Sequence, residues 1–230
     1  MTIKMQTILP NHVHLWQIPL NLLSYEAYRS VLSPDENERA NRFVFEKHRR
    51  RFILAHFALR KILSEYLELP PELLKFEELS HGKPILTSEQ NPFCLEFNLS
   101  HSGETALVGL RLEKAIGVDI EYHRTREFID LAEHVFSEKE YQSVAATKSI
   151  DVFFHIWAQK EAFIKAIGQG LSYPLKDFSV AANPPAGLLE ALHENKSHWH
   201  LHSFKPFSDA HAAIATLNPV EKISFFTFVF

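Results

Sequence analysis

The sequence predicts an α+β fold, on three observations. Strand-like segments follow one another through short turns, which argues against a doubly wound parallel sheet. Other segments carry apolar residues at helical spacing behind capping signals. Neither a GxGxxG turn nor a Walker loop is present, so the nucleotide-binding α/β classes have no support.

HVHLWQIPL at 12–20 reads as a first strand. Ser33-Pro34-Asp35-Glu36 has the form of a helix start: Ser33 caps, Pro34 suits the first helical position and Glu36 completes a capping box. A second helix runs through RRFILAHFALRKILSEYL. There Phe52, Ile53, Phe57, Leu59, Leu63, Tyr66 and Leu67 recur at roughly helical spacing, and Pro70-Pro71 ends it. HGKP at 81–84 marks a turn, and PFCLEFNLS at 92–100 a strand. TALVGLR and AIGVDIE are two more strands, with Leu112-Glu113-Lys114 expected as a short hairpin connection. Ser137-Glu138-Lys139-Glu140 is a second capping box, opening a short helix. The next helix runs from about Asp151 to Ile167 and stops at Gly168. After Pro184-Pro185, WHLHSF, AHAAIATL and ISFFTFVF read as strands. FNLSHSGETALVGL and HSFKPFSDAHAAIATL echo each other, each passing through a polar turn into a small-residue strand, as two similar halves would.

The 230 residues suffice for one large domain or two small ones, and 46% hydrophobic content is the ordinary globular share. The net charge of -4 does not suggest a nucleic-acid binder. Arg39, Arg42, Lys47, His48, Arg49, Arg50, Arg51, Arg60 and Lys61 nevertheless crowd one segment, which suits a small anionic ligand or an acidic partner. Cys94 is the single cysteine, so no intrachain disulfide forms, as in a reducing compartment. The N-terminal MTIKMQTILPNHVHLW lacks a signal-like apolar run, and no stretch reaches the roughly 18 apolar residues of a membrane span. A cytoplasmic protein is expected.

Asp119 and Glu121 stand two apart in GVDIE, so a strand puts both carboxylates on one face while Val118 and Ile120 turn to the core. Two acids side by side call for a cation between them, and magnesium favours carboxylate oxygens and substrate phosphates. The plainer reading is a solvent-facing edge. Glu161 and Lys165 share a helix face one turn beyond Trp157, as a surface ion pair beside a core tryptophan or as the third acid and cation of a diphosphate site. Ser100-His101-Ser102-Gly103 reads as a site loop closing a strand. Neighbouring strand residues point apart, which disfavours a Ser100–His101 nucleophile–base dyad and leaves His101 as a donor to phosphate. Lys83, Arg39, Arg42 and Arg51 are individually ordinary and together a possible phosphate cradle. His12 with His14, and His198 with His200 and His202, alternate as zinc ligands on a strand would, though an exposed strand face is the simpler reading.

Taken together, NLSHSG at 98–103, GVDIE at 117–121 and WAQKEAFIK at 157–165 resemble the three signature regions of the 4'-phosphopantetheinyl transferases, in their larger Sfp-like group. HGKP resembles that family's lysine turn and FSEKE at 136–140 its segment between the second and third signatures. The resemblance implies a two-lobed, pseudo-dimeric α+β fold, each lobe with a small, mainly antiparallel sheet and packed helices. The lobes would be residues 1–111, with the basic segment, and 112–230, with the acids, in a monomer of internal pseudo-twofold symmetry. It implies coenzyme A bound between the lobes and an apo acyl, peptidyl or aryl carrier protein as partner, with no membrane or nucleic acid. Fatty acid, polyketide, nonribosomal peptide and glycolipid carriers all present a similar serine.

By the same resemblance Asp119, Glu121 and Glu161 hold magnesium, with manganese as a substitute, and Glu161, Lys165 and Asp119 carry the catalysis. Arg51, Lys83, Ser100 and His101 would bind the cofactor alongside Asp119 and Lys165. Related enzymes often have lysine where Glu36 stands, and Arg39 keeps the positive charge one turn later. Two competing readings are a metal-dependent nucleotide-diphosphate hydrolase and a non-catalytic module that binds acidic proteins. Removing Asp119 is expected to relieve like-charge repulsion and so to raise stability slightly. Arg49 is expected to face the carrier and Arg51 the cofactor phosphate.

Overall fold

The computed structural model describes residues 7–124 and 127–230; the first six residues of the N-terminal segment read above lie outside it. Strand β1 spans His12–Pro19, then come helices α1 (Pro34–Asn41) and α2 (Glu46–Leu67). Strands β2 (Phe76–Glu78) and β3 (Pro84–Leu86) form a small hairpin around HGKP, before β4 (Leu95–Ser102), β5 (Thr105–Leu112) and β6 (Ile116–Tyr122). Helices α3 (Phe128–Val135), α4 (Glu138–Thr147) and α5 (Ile150–Ile167) follow. The chain closes with β7 (Phe178–Val180), β8 (Leu188–Ala191), β9 (Trp199–Phe207), β10 (Ala210–Leu217) and β11 (Lys222–Thr227).

The helix ends are set as the sequence indicates. Ser33 Oγ accepts from Glu36 N, and Glu36 accepts from Ser33 N at 2.8 Å. Glu140 accepts from Ser137 N at 2.8 Å at the start of α4. Gly168 ends α5 with φ +83°, a conformation that costs a glycine little.

Two sheets carry the fold. One has the order β11-β1-β5-β4, the other β6-β10-β9. In the first, β5 runs antiparallel to both β1 and β4; in the second, β10 runs antiparallel to both β6 and β9. Both halves therefore read strand, long helix, then a hairpin whose second arm lies in the middle. The two echoing segments are those two hairpins. The last strand, β11, crosses back and pairs in parallel with β1, so residues 222–227 belong to the first sheet.

One expectation fails here. Leu112-Glu113-Lys114 does not join a hairpin, because β6 leaves the first sheet and founds the second. The two sheets instead pack face to face, through Val13, Leu15 and Leu107 on one side and Ile116, Val118, Ile120, Ala212 and Ile214 on the other. Gly109 makes this possible, since a Cβ there would lie 2.5 Å from Val118 Cγ1.

The outer faces are covered by the long helices. Ile53, Leu54, Ala58, Ile62 and Leu63 of α2 share a core with Trp16, Ile18, Val108 and Leu110. Helix α5 comes much closer to its sheet. A Cβ on Gly117 would lie 2.0 Å from Ala162 O and 2.4 Å from Ala166 N, so the helix backbone rests on the strand at that glycine.

Candidate active site

Close packing of α5 on β6 decides what the site is made of. The alternation of β6 sends Val118 and Ile120 into the sheet interface and leaves Asp119 and Glu121 on the α5 side. On α5, Glu161 and Lys165 stand one turn apart beside them. From the other sheet β4 adds its own alternation. Asn98 accepts from Val118 N at 2.8 Å, Ser100 donates to Asp119 Oδ1 at 2.8 Å, and Ser102 donates to Glu121 at 2.9 Å.

This corrects the reading of Ser100-His101-Ser102 as a loop. The strand runs on through Ser102, because each second side chain pairs with β6, and only Gly103-Glu104 turns. Ser100 is buried and His101 is exposed on the opposite side of the strand, so the two make no dyad.

Asp119 is the centre of the arrangement. It is 2% exposed, and its Oδ1 accepts from Lys165 Nζ at 2.5 Å as well as from Ser100. Its Oδ2 is buried without a partner. A buried, charged oxygen with nothing bound to it is costly unless something external completes it.

The surrounding pKa values follow from this crowding. Burial, and then the charge of Asp119, raise the Glu121 carboxyl. Burial pushes Glu161 up to about 7, with Asp119 and Glu121 adding to the rise and Lys165 opposing it. Burial works against the Lys165 charge, but Asp119, Glu161 and Glu121 outweigh it and raise its pKa. Lys165 therefore pairs with Asp119 rather than with Glu161, as a surface i,i+4 pair would. Glu161 makes no hydrogen bond or ion pair among the described residues. Three carboxylates, two of them raised, beside an orphaned oxygen form an all-oxygen donor set that fits magnesium. Lys165 takes one oxygen of Asp119, and the three acids do not draw together to within 4.8 Å.

Other sequence-marked residues divide. His101 stands among cations: the protein around it, then Lys165, His56 and Arg51, hold its pKa low. Arg51 and Arg50 both hold Glu104, at 2.7 and 2.8 Å, at the turn after β4. Arg49 turns the other way and donates to Phe43 O at 3.0 Å. Arg39 is exposed on α1, with its guanidinium 5.5 Å from the Phe52 ring centre.

Lys83 is not a free cation: its Nζ donates to Ile116 O at 3.2 Å and Ala166 O at 3.3 Å, tying the turn to the ends of β6 and α5. Arg60 leaves the basic patch altogether. It is 1% exposed and bonded to Glu36, Pro71 O and Leu74 O. Glu36 is committed to Ser33, His56 and Arg60, which against the effect of burial lower its carboxyl to about 2. The alternating histidines part ways: His14 is buried and bonded to Tyr66, while His198 precedes β9 and does not join His200 and His202 in a metal-ligand group among the described residues.

One pairing escaped the sequence reading. Lys160 and Glu140 form a buried ion pair at 2.8 Å that also engages Phe178 O and Val180 N. Their signal was present: Glu140 closes the second capping box, and Lys160 sits on the buried side of an apolar helix. Gly117 was read only as part of a motif, because its reason lies in a tertiary contact.

Residues 115–216 match the family model of the 4'-phosphopantetheinyl transferase superfamily, and residues 19–111 match that of the 4'-phosphopantetheinyl transferase N-terminal region. The chain is 39% identical over 217 residues to 4'-phosphopantetheinyl transferase HetI of a Nostoc species, covering 91% of this chain and 89% of that protein. It is 28% identical over 205 residues to 4'-phosphopantetheinyl transferase Sfp of Bacillus subtilis, covering 87% and 89%. L-aminoadipate-semialdehyde dehydrogenase-phosphopantetheinyl transferase of Xenopus laevis is 31% identical over 166 residues, covering 66% of this chain and 55% of that protein, so the chain spans little more than half of that relative.

Proposed function

The chain belongs to the 4'-phosphopantetheinyl transferase superfamily, in its larger Sfp-like group, and we propose that Asp119, Glu121 and Glu161 form the centre at which it moves the phosphopantetheine arm of coenzyme A to a carrier-protein serine. One observation supports that placement above the others. Asp119 is buried, fixed by Ser100 and Lys165, and keeps one oxygen without a partner next to two more acids.

In the proposed reaction the serine oxygen bonds to the β-phosphorus of coenzyme A as the bond from that phosphorus to the bridging oxygen breaks. The arm stays on the carrier with its phosphate, and adenosine 3',5'-bisphosphate departs. Glu161 accepts the serine proton, directly or through water, from beside the reacting phosphate. Lys165, charged and anchored on Asp119, faces the anionic diphosphate. The three carboxylates would hold magnesium, or manganese in its place, which when bound supplies neutralisation of the diphosphate oxygens. His101, Arg51 and Arg39 offer donors to the phosphates of the adenosine end, and the Lys83 turn, tied to Ile116 O and Ala166 O, lies at the start of β6 for the adenine. Ser100 serves the cofactor through Asp119. The two lobes, 1–111 and 112–230 with β11 returned to the first, bracket this site.

The test is the intact mass of an apo carrier after incubation with coenzyme A. Chelator-treated protein should add no phosphopantetheine until magnesium or manganese is restored. Full transfer without a divalent ion would overturn the metal assignment, and release of phosphate without a carrier would favour a hydrolase.

A further inference from the structure

A second cluster lies beyond the acids on the same face of the second sheet. His123 follows β6, Asp151 lies in the first turn of α5, and His211 lies near the start of β10. Their nearest ligand atoms all lie within 4.8 Å of one another. Asp151 Oδ1 is 3.0 Å from His211 Nε2 and 3.5 Å from His123 Nε2, and the two imidazoles stack with centres 5.3 Å apart. His123 Nε2 is buried without a hydrogen-bond partner.

We propose that His123, Asp151 and His211 form a binding site for a borderline divalent transition metal, zinc foremost, separate from the acid trio. Two imidazoles and one carboxylate are the ligand chemistry of zinc rather than magnesium. Ligands at about 2.0–2.2 Å from a tetrahedral ion stand roughly 3.3–3.6 Å apart, and the Asp151 distances of 3.0 and 3.5 Å lie at that range.

An independent feature points the same way. Asp151 and His211 wall a cavity of about 220 Å³. His155, 6% exposed, lines that cavity, and its Nε2 is buried with no partner. A buried imidazole nitrogen with no protein partner, beside two metal-competent side chains, is a group suited to an external ligand. The cavity gives the ion a way in and leaves an open coordination position. Lys205 now occupies Asp151 Oδ1 at 2.6 Å, but its side chain is 43% exposed and free to swing away. A bound ion would staple the end of β6, the start of α5 and the start of β10.

Metal-stripped protein comprising all 230 residues would be titrated with zinc chloride by calorimetry, with melts followed by circular dichroism. The expected result is one tight equivalent that raises Tm, retained in Asp119→Asn and in the His200→Ala/His202→Ala pair. It should be lost in His211→Ala, and weakened about tenfold or more in Asp151→Asn and in His123→Gln. Lys205→Ala, a surface change that leaves the fold alone, should tighten binding several-fold by removing the competing cation. Undiminished zinc binding in both His211→Ala and His123→Gln would overturn the proposal, as would loss of binding in Asp119→Asn, unchanged affinity in Lys205→Ala, or no binding by the wild-type protein.

Discussion

The two halves of this molecule use one plan to opposite ends. Setting the central strands β5 and β10 side by side from their first residues puts Val108 against Ala213 and Leu110 against Ala215. Their partners across the ladder then correspond: Trp16 of β1 takes the place of Asp119 in β6, Ile18 that of Glu121, and His14 that of Gly117. In the first lobe these positions are apolar or capped. Trp16 stacks on Phe226 and donates to Tyr66, and Ile18 is wholly buried under α2. In the second lobe two acids stand there, and the helix is drawn onto the strand at a glycine. The first lobe uses the scaffold for core; the second gives up that apolar burial, of about 1.5–3 kcal/mol per side chain, for a charged site. A site of this kind is held together by its neighbours: Ser100, Ser102 and Asn98 reach across from the first lobe to position the second.

The sharpest way to break this contrast is at its centre. On the proposed mechanism, in which metal neutralisation of the diphosphate contributes several kcal/mol in the transition state, Asp119→Ala should lower turnover roughly 100-fold or more. Stability should fall, contrary to what like-charge repulsion alone suggests. The mutation strands Lys165, which is paired to Asp119, and loss of one partner from a fully buried pair costs about 3–5 kcal/mol. Lys165 keeps 27% of its side chain exposed, so the loss should be smaller, about 1–3 kcal/mol. A carrier-modification time course and a denaturant melt on the same variant measure both. Next in size is Gly117→Ala. The added methyl meets main chain rather than a flexible side chain, so α5 must lift, at a cost of about 1–3 kcal/mol and with Glu161 and Lys165 carried away from Asp119. The melt should drop and the rate should fall with it. A normal rate would separate close helix packing from chemistry.

Much of this contrast was legible in the sequence. The period of two in GVDIE and the i,i+4 spacing in WAQKEAFIK gave the faces of the acids and the lysine, because those periods are local. Both capping boxes were read for the same reason. Partnerships set by tertiary packing were not legible. Nothing local says that Lys165 takes Asp119 rather than Glu161, that Arg60 is interior, that Lys83 is tied to two carbonyls, or that Glu113 leads into a second sheet. The return of β11 to the first sheet is a long-range pairing, and three-residue strands such as β2 and β7 are too short to show a period.

Smaller effects sharpen the same picture. Burial pushes Glu161 up to about 7 in the metal-free folded protein, against 4.5 ordinarily. Between those values the folded state keeps a proton that the unfolded chain has lost, so without metal the stability falls as pH rises through that window. Each kcal/mol lost lowers Tm by about 2–4 °C for a chain of this size. Glu161→Gln should flatten the slope between pH 5 and pH 7; an unchanged slope would assign it to other groups. The smallest effect concerns the basic segment. Carrier KM should rise with salt while kcat changes little, since exposed charges are screened beyond about 8 Å at physiological ionic strength. Arg49→Glu should weaken carrier use more than coenzyme A use, and Arg51→Glu, which also sets an acid against Glu104, should do the reverse. Equal effects on both KM values would remove that division.

The claim that transfer chemistry resides in the acids of the second lobe is tested most directly by the intact-mass time course of an apo carrier with coenzyme A and magnesium, run on wild type and Asp119→Asn side by side. Wild type should convert the carrier by the mass of one phosphopantetheine arm. Asp119→Asn, nearly the same shape without the charge, should convert it at least about 100-fold more slowly. Equal rates for the two proteins would contradict the account.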